Sequence, residues 1–147
     1  MALTVMLTIG LALAAAEPTP PTPARETSVA AAMQVVRNYY AAVSRRDYRA
    51  AYALWHGTRS YARFRKGYAA TRSAKVSFLE AATPEGGAGS IYLDLPVRVD
   101  AVLRSGAQQH FVGHYTLRRV NDVPGSTAAQ RRWHIEGAHL KQVPAGR

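Results

Sequence analysis

Cysteine is absent from the 147 residues, which removes disulfides, thiolate metal sites, a catalytic thiol and a lipid-modified cysteine at once. Packing alone must hold the fold. Acidic residues are scarce: nine Asp+Glu stand against 19 Lys+Arg, a formal charge of +10 that makes the surface a magnet for anions but says nothing about fold. Long apolar runs are missing apart from residues 3–16 (LTVMLTIGLALAAA). That run falls short of the roughly 20 residues that span a bilayer and ends in the small-x-small pattern of a signal-peptide cleavage site. The expectation is a leader over residues 1–16 and an exported, periplasmic or secreted chain. No Lys or Arg precedes the run, so retention as an N-terminal membrane anchor is the alternative.

Residues 17–27 follow as a spacer, because EPTPPTPA offers nothing to bury and favours extended polyproline II. The remainder, 28–143, is long enough for one core and hardly two; residues 144–147 are a tail. At 48% hydrophobic and 19% charged the chain is too apolar to be disordered.

Helical spacing opens this domain. Val29, Met33, Val36, Tyr40 and Val43 recur at steps of four and three behind Ser28, a helix N-cap. Asp47 caps a second helix carrying Tyr48, Ala51, Tyr52 and Trp55 and stopped by Gly57; Ser60 caps a third with Tyr61, Phe64 and Tyr68. After Thr71 the period becomes two. A first strand is predicted over 75–82, then a glycine-rich loop over 83–89, then a long strand whose odd positions from Ile91 to Leu103 are apolar throughout. A turn at Gly106 leads into a strand over 108–120, setting Asp94 opposite Arg118 and Arg98 opposite His114. The last strand, from about 131 to 143, breaks its alternation at Glu136-Gly137, as a bulge would. Helices first and an antiparallel sheet afterwards define an α+β fold, three helices on one face of a curved sheet of about four strands.

The run Arg46-Asp47-Tyr48-Arg49-Ala50-Ala51-Tyr52 leading to Trp55, the tyrosine-rich first helix, and the ending Trp133-x-Ile135-x-x-Ala138-x-Leu140 resemble the nuclear-transport-factor-2-like superfamily. The resemblance covers about residues 28–143 and implies its cystatin-like cone fold, with a cavity between sheet and helices. It does not select a function, because this fold serves isomerases, dehydratases, cyclases, transport factors and small exported bacterial domains.

Isomerase-type members place a carboxylate base and an oxyanion-binding tyrosine in that cavity. Here the resemblance would assign these roles to Asp94 and Tyr40. Alternation points Asp94 and Asp100 to the even, outward face, unless Pro96 marks a slip that turns Tyr92 and Asp94 inward. Tyrosines 39, 40, 48, 52, 61, 68 and 115 could furnish a pocket or simply a core with hydroxyls at its rim. The candidates for a ligand pocket are Tyr39, Tyr40, Tyr52, Trp55, Phe64, Tyr115 and Trp133.

Arg59, Arg63, Arg65, Lys66, Arg72 and Lys75 form a basic surface interleaved with aromatics. Because those aromatics face the core at helical spacing, no stacking platform for nucleic acid is left, and the expectation is a solvated basic face; in an exported chain its partners would be anionic lipid headgroups or envelope polymers rather than DNA. Five histidines raise the question of a metal. His110 and His114 share a face but stand roughly 13 Å apart along the strand, no HExxH spacing occurs, and no metal or cofactor is expected. No nucleophile elbow or phosphate-cradling loop is present. The sequence therefore favours a non-catalytic binding module for a small apolar ligand, an anionic envelope component or a protein partner. A cofactor-free isomerase, dehydratase or cyclase is the alternative, and homodimerisation through the outer sheet face is a mode the resemblance allows.

Overall fold

The computed structural model describes residues 28–57 and 59–145. The leader, the spacer and the last two residues of the tail lie outside the described residues. Three helices come first: α1 (Val29–Ser44), α2 (Tyr48–Ala53) and α3 (Tyr61–Gly67). Their starts are set by the expected caps. Ser28 Oγ accepts from Ala31 N–H at 3.2 Å, an Asp47 carboxylate oxygen from Ala50 N–H at 3.1 Å, and Ser60 Oγ from Arg63 N–H at 3.3 Å; each supplies an acceptor to a first-turn amide that has no partner within its helix. Among the described residues no helix is long and apolar enough to cross a membrane.

The sheet follows as β1 (Thr71–Phe78), β2 (Glu85–Gly87), β3 (Ser90–Leu103), β4 (Gln108–Val120) and β5 (His134–Val143), with a single-turn helix α4 (Ala128–Arg131) before β5. All pairings are antiparallel in the order β1-β3-β4-β5, and β2 lies beside the start of β3. Helices α1 to α3 cover one face.

Alternation along β3 holds without a slip. Leu93, Leu95, Val97, Val99 and Ala101 are buried while Tyr92 and Asp94 are exposed, and the register with β4 runs unbroken through Pro96↔His114. Under these odd positions lie Val36, Tyr39, Tyr40 and Val43 of α1, with Leu117 of β4 and Ile135 of β5. Burying each leucine is worth about 1.5–3 kcal/mol. The bulge expected at Gly137 is present one residue earlier: Thr116 pairs with Gly137 and Leu117 with Ile135, leaving Glu136 as the extra residue.

Several expectations are corrected. The hairpin between β3 and β4 centres on Ser105 rather than Gly106, so each partner number falls by two and faces are kept. Asp94 therefore stands opposite Thr116, whose hydroxyl donates to it at 2.5 Å, and Arg98 stands opposite Val112. The outward ion-pair network is instead Asp100 with Arg98 (3.1 Å) and His110 (2.6 Å), and the His110 hydrogen bond, foremost, holds the Asp100 carboxyl below its ordinary pKa.

Strand β1 occupies 71–78, not 75–82, because its first residues, Thr71-Arg72-Ser73, carry no apolar alternation to read. The glycine-rich loop contains β2, returned by a two-residue turn at Ala88 and Gly89, both at positive φ (43° and 82°), the shape that suits a tight hairpin. Helix α2 ends at Ala53, before Trp55 and Gly57. Leu54 and His56 are captured by the sheet through Ile135 N–H to Leu54 O and His56 N–H to Ile135 O, both 2.8 Å. Strand β5 begins at His134 because Thr127 and Gln130 close a reciprocal capping box around α4.

Candidate functional site

Between the inner sheet face and helices α1 and α3 lies a cavity of about 530 Å³, within the range of small-molecule sites. Helix α1 contributes Tyr39 and Tyr40, adjacent residues that both point inward because they straddle its apolar stripe. Helix α3 contributes Arg63, Phe64 and Gly67, at the i, i+1, i+4 spacing of one helical face, followed by Tyr68. The sheet supplies the floor, including Val99 of β3, Phe111 and Tyr115 of β4 and Leu140 of β5.

Tyr39 is the hub of the aromatic wall. Its ring centroid lies 5.0–6.2 Å from those of Tyr40, Trp55, Phe64, Tyr68 and Tyr115, mostly edge to face. The hydroxyls are joined in two pairs, Tyr39 with Tyr68 at 2.5 Å and Tyr40 with Tyr115. A phenol has one proton, so each pair uses one O–H internally and keeps one.

Burial, first of all, raises the pKa of all four hydroxyls, since a phenolate would lose its hydration in this apolar wall, and mutual repulsion adds to the rise at Tyr39, Tyr40 and Tyr115. The four stay neutral past the ordinary tyrosine value of about 10. The native state thus retains protons that the unfolded chain releases, and stability falls as pH rises above that value. Spectrophotometric titration is expected to show a delayed group of tyrosines that ionises only as the protein unfolds, and Tyr40→Phe is expected to shrink it. One normal step near pH 10 with the fold intact would contradict this burial.

Of the seven expected pocket residues, Tyr39, Tyr40, Trp55, Phe64 and Tyr115 line the cavity. Tyr52 stands behind its wall, packed on Tyr61 and Phe64 at 5.2 and 5.6 Å, with its hydroxyl donating to the Arg59 carbonyl. Trp133 is buried elsewhere, lining a separate hollow of about 490 Å³ between α1, the end of α2 and α4; its place just before β5, outside the strand, removes it from the alternation that suggested the pocket. Tyr68, the partner of Tyr39, belongs to the cavity, and only its hydroxyl contact across 29 residues reveals the pairing.

The basic surface divides. Arg59 and Arg63 border the cavity; Arg65 and Lys66 face a different hollow beside Tyr48, Tyr61 and Arg104; Arg72 and Lys75 are exposed on β1. Asp94 does not meet Tyr40. It lies exposed on the outer face, and among the described residues no Asp, Glu or His lines the cavity. His114 and His139 face each other across β4 and β5 on the outer side, ring centroids 5.2 Å apart. Among the described residues, no three or more His, Cys, Asp or Glu side chains are gathered as a metal site would need.

Helices laid on one face of a bulged antiparallel sheet, with an aromatic hollow between the layers, define the cone-shaped α+β class of fold. A solved structure of a nuclear transport factor 2 (NTF2-like) superfamily protein from Salmonella enterica subsp. enterica serovar Typhimurium str. LT2 is similar, with a TM-score of 0.53 and 12% identity over 81% of this chain and 96% of that one. The chain has the NTF2-like fold. In sequence, no family model and no curated protein matches it.

Proposed function

We propose that the chain is an exported, non-catalytic binding module that takes a small, largely apolar ligand into the cavity between α1, α3 and the sheet. The observation that carries this reading is the lining itself: about 530 Å³ bounded by aromatic rings and neutral, paired hydroxyls, with no carboxylate or imidazole among the described residues that border it. Such a wall offers dispersion, edge-to-face contacts and two unspent O–H groups to a guest. It offers no general base, because a proton acceptor working near neutral pH needs a pKa in that range and phenols raised above 10 do not supply one. The leader-like run at residues 3–16 supports export.

The test uses residues 17–147 and the uncharged fluorophore N-phenyl-1-naphthylamine. The expected result is saturable fluorescence enhancement at one probe per chain. Ala74→Phe, which fills the floor of the cavity, is expected to weaken binding at least about tenfold while a cooperative melt is kept. No enhancement, or equal affinity in the filled variant, would remove the reading.

A further inference from the structure

We infer that the natural guest of this cavity is an amphiphile with an anionic head, its apolar body against the tyrosines and its charge held at the rim by Arg59 and Arg63. The inference rests on reading the cavity as a ligand site and adds the ligand's chemical class. Three features of the rim support it. First, Arg59 and Arg63 are the charged groups among the cavity's described lining, and among the described residues neither has an acid within ion-pair distance, whereas Arg98 and Arg131 do.

Second, Arg59 is held in place. Its guanidinium carbon lies 4.0 Å from the Trp55 ring centroid and its carbonyl receives the Tyr52 hydroxyl. Stacking of this kind fixes the plane of a guanidinium while leaving its N–H edge free for a carboxylate, sulfonate or phosphate oxygen. Third, the two cations come to one rim by different routes, Arg59 from the loop before α3 and Arg63 from the cavity face of α3 itself, one residue before buried Phe64. Their same-helix neighbours Arg65 and Lys66 turn to the other hollow. The rim therefore collects two like charges beside an apolar space whose described lining holds no acid to neutralise them. Bringing like charges together is unfavourable, and an anionic head bound between them relieves it. A cationic guest finds no counter-charge, and a neutral one leaves the rim as it was.

The test compares two probes of the same ring skeleton: N-phenyl-1-naphthylamine, uncharged, and its 8-sulfonate, 1-anilinonaphthalene-8-sulfonate. In low salt the sulfonate is expected to bind about tenfold more tightly, the scale of one charge-assisted contact. The double variant Arg59→Gln/Arg63→Gln is expected to erase that preference by weakening the sulfonate about tenfold while the neutral probe still binds within about threefold, and a cooperative melt shows that the cavity remains folded. Arg65→Gln/Lys66→Gln, which removes the same charge from the other side of α3, is expected to keep most of the preference. Equal affinities for the two probes, or equal losses of the preference in both double variants, would overturn the anionic head and leave cavity binding standing. If neither probe binds, the cavity reading itself falls.

Discussion

Replacing Gly113 with alanine is expected to cost about 3 kcal/mol or more, among the larger effects a single methyl can have. Gly113 sits in the middle of β4 between Val97 of β3 and Leu140 of β5. A Cβ there would stand 1.8 Å from the carbonyl oxygen of His139, 2.8 Å from its carbon and 2.9 Å from Leu140 Cα. These are main-chain atoms of a paired strand and cannot rotate aside as a side chain would. Relief requires β5 to move away from β4, and with it the wall that carries Ala138 and Leu140. Thermal melting should show a drop of at least about 10 °C. Gly137→Ala, on the neighbouring strand with open space around its Cβ position, is the matched comparison and should change little. Equal melting temperatures for the two variants would mean that the strands are not this close at Gly113.

The second large effect tests the facing of β3. Leu95 is 1% exposed and lies opposite buried Tyr115. Leu95→Asp would place a carboxylate in the core with no cation to receive it, a cost of several kcal/mol, and the expected result is loss of the cooperative urea transition at neutral pH. Asp94→Ala, one residue away but exposed, removes only the Thr116 hydroxyl bond and should fall within about 0.5–1 kcal/mol of the parent. The same variant examines the alternative in which Asp94 is a catalytic base: any isomerase-type turnover by the parent should survive it. A tolerated Leu95→Asp beside a collapsed Asp94→Ala would reverse the assignment of faces.

That contrast shows why the sheet could be read in advance. Strand parity is dictated by the two-residue period, so seven alternating apolar positions from Ile91 to Leu103 specify a face wherever the strand ends. Caps are equally local: Ser28, Asp47 and Ser60 needed only the three residues after them. The register was less secure because it depends on where a turn centres. An error of one residue in that centre altered every cross-strand partner while leaving every face correct.

Strand β2 was hidden because Glu85-Gly86-Gly87 has no apolar member; its place comes from backbone pairing with Ser90, Ile91 and Tyr92. Helix α4 was legible after all, since Thr127-Ala-Ala-Gln130 has the spacing of a capping box, but four residues leave too little periodicity to attract notice. The site was half visible. Helical spacing brought Tyr40 and Phe64 inward, whereas the partners of the hydroxyls lie 29 and 75 residues away in sequence. Likewise a basic run that reads as one patch is cut in two by the 100° step of a helix, which sends Arg63 toward the cavity and Arg65 away from it.

The two tyrosine couples have a consequence for how choosy the interior can be. Either oxygen of a couple can be the one that gives its hydrogen, so each couple can reverse its sense without moving a heavy atom. A ketone and an alcohol would then meet an equally accommodating lining, and discrimination among guests would fall to shape within and to charge at the entrance.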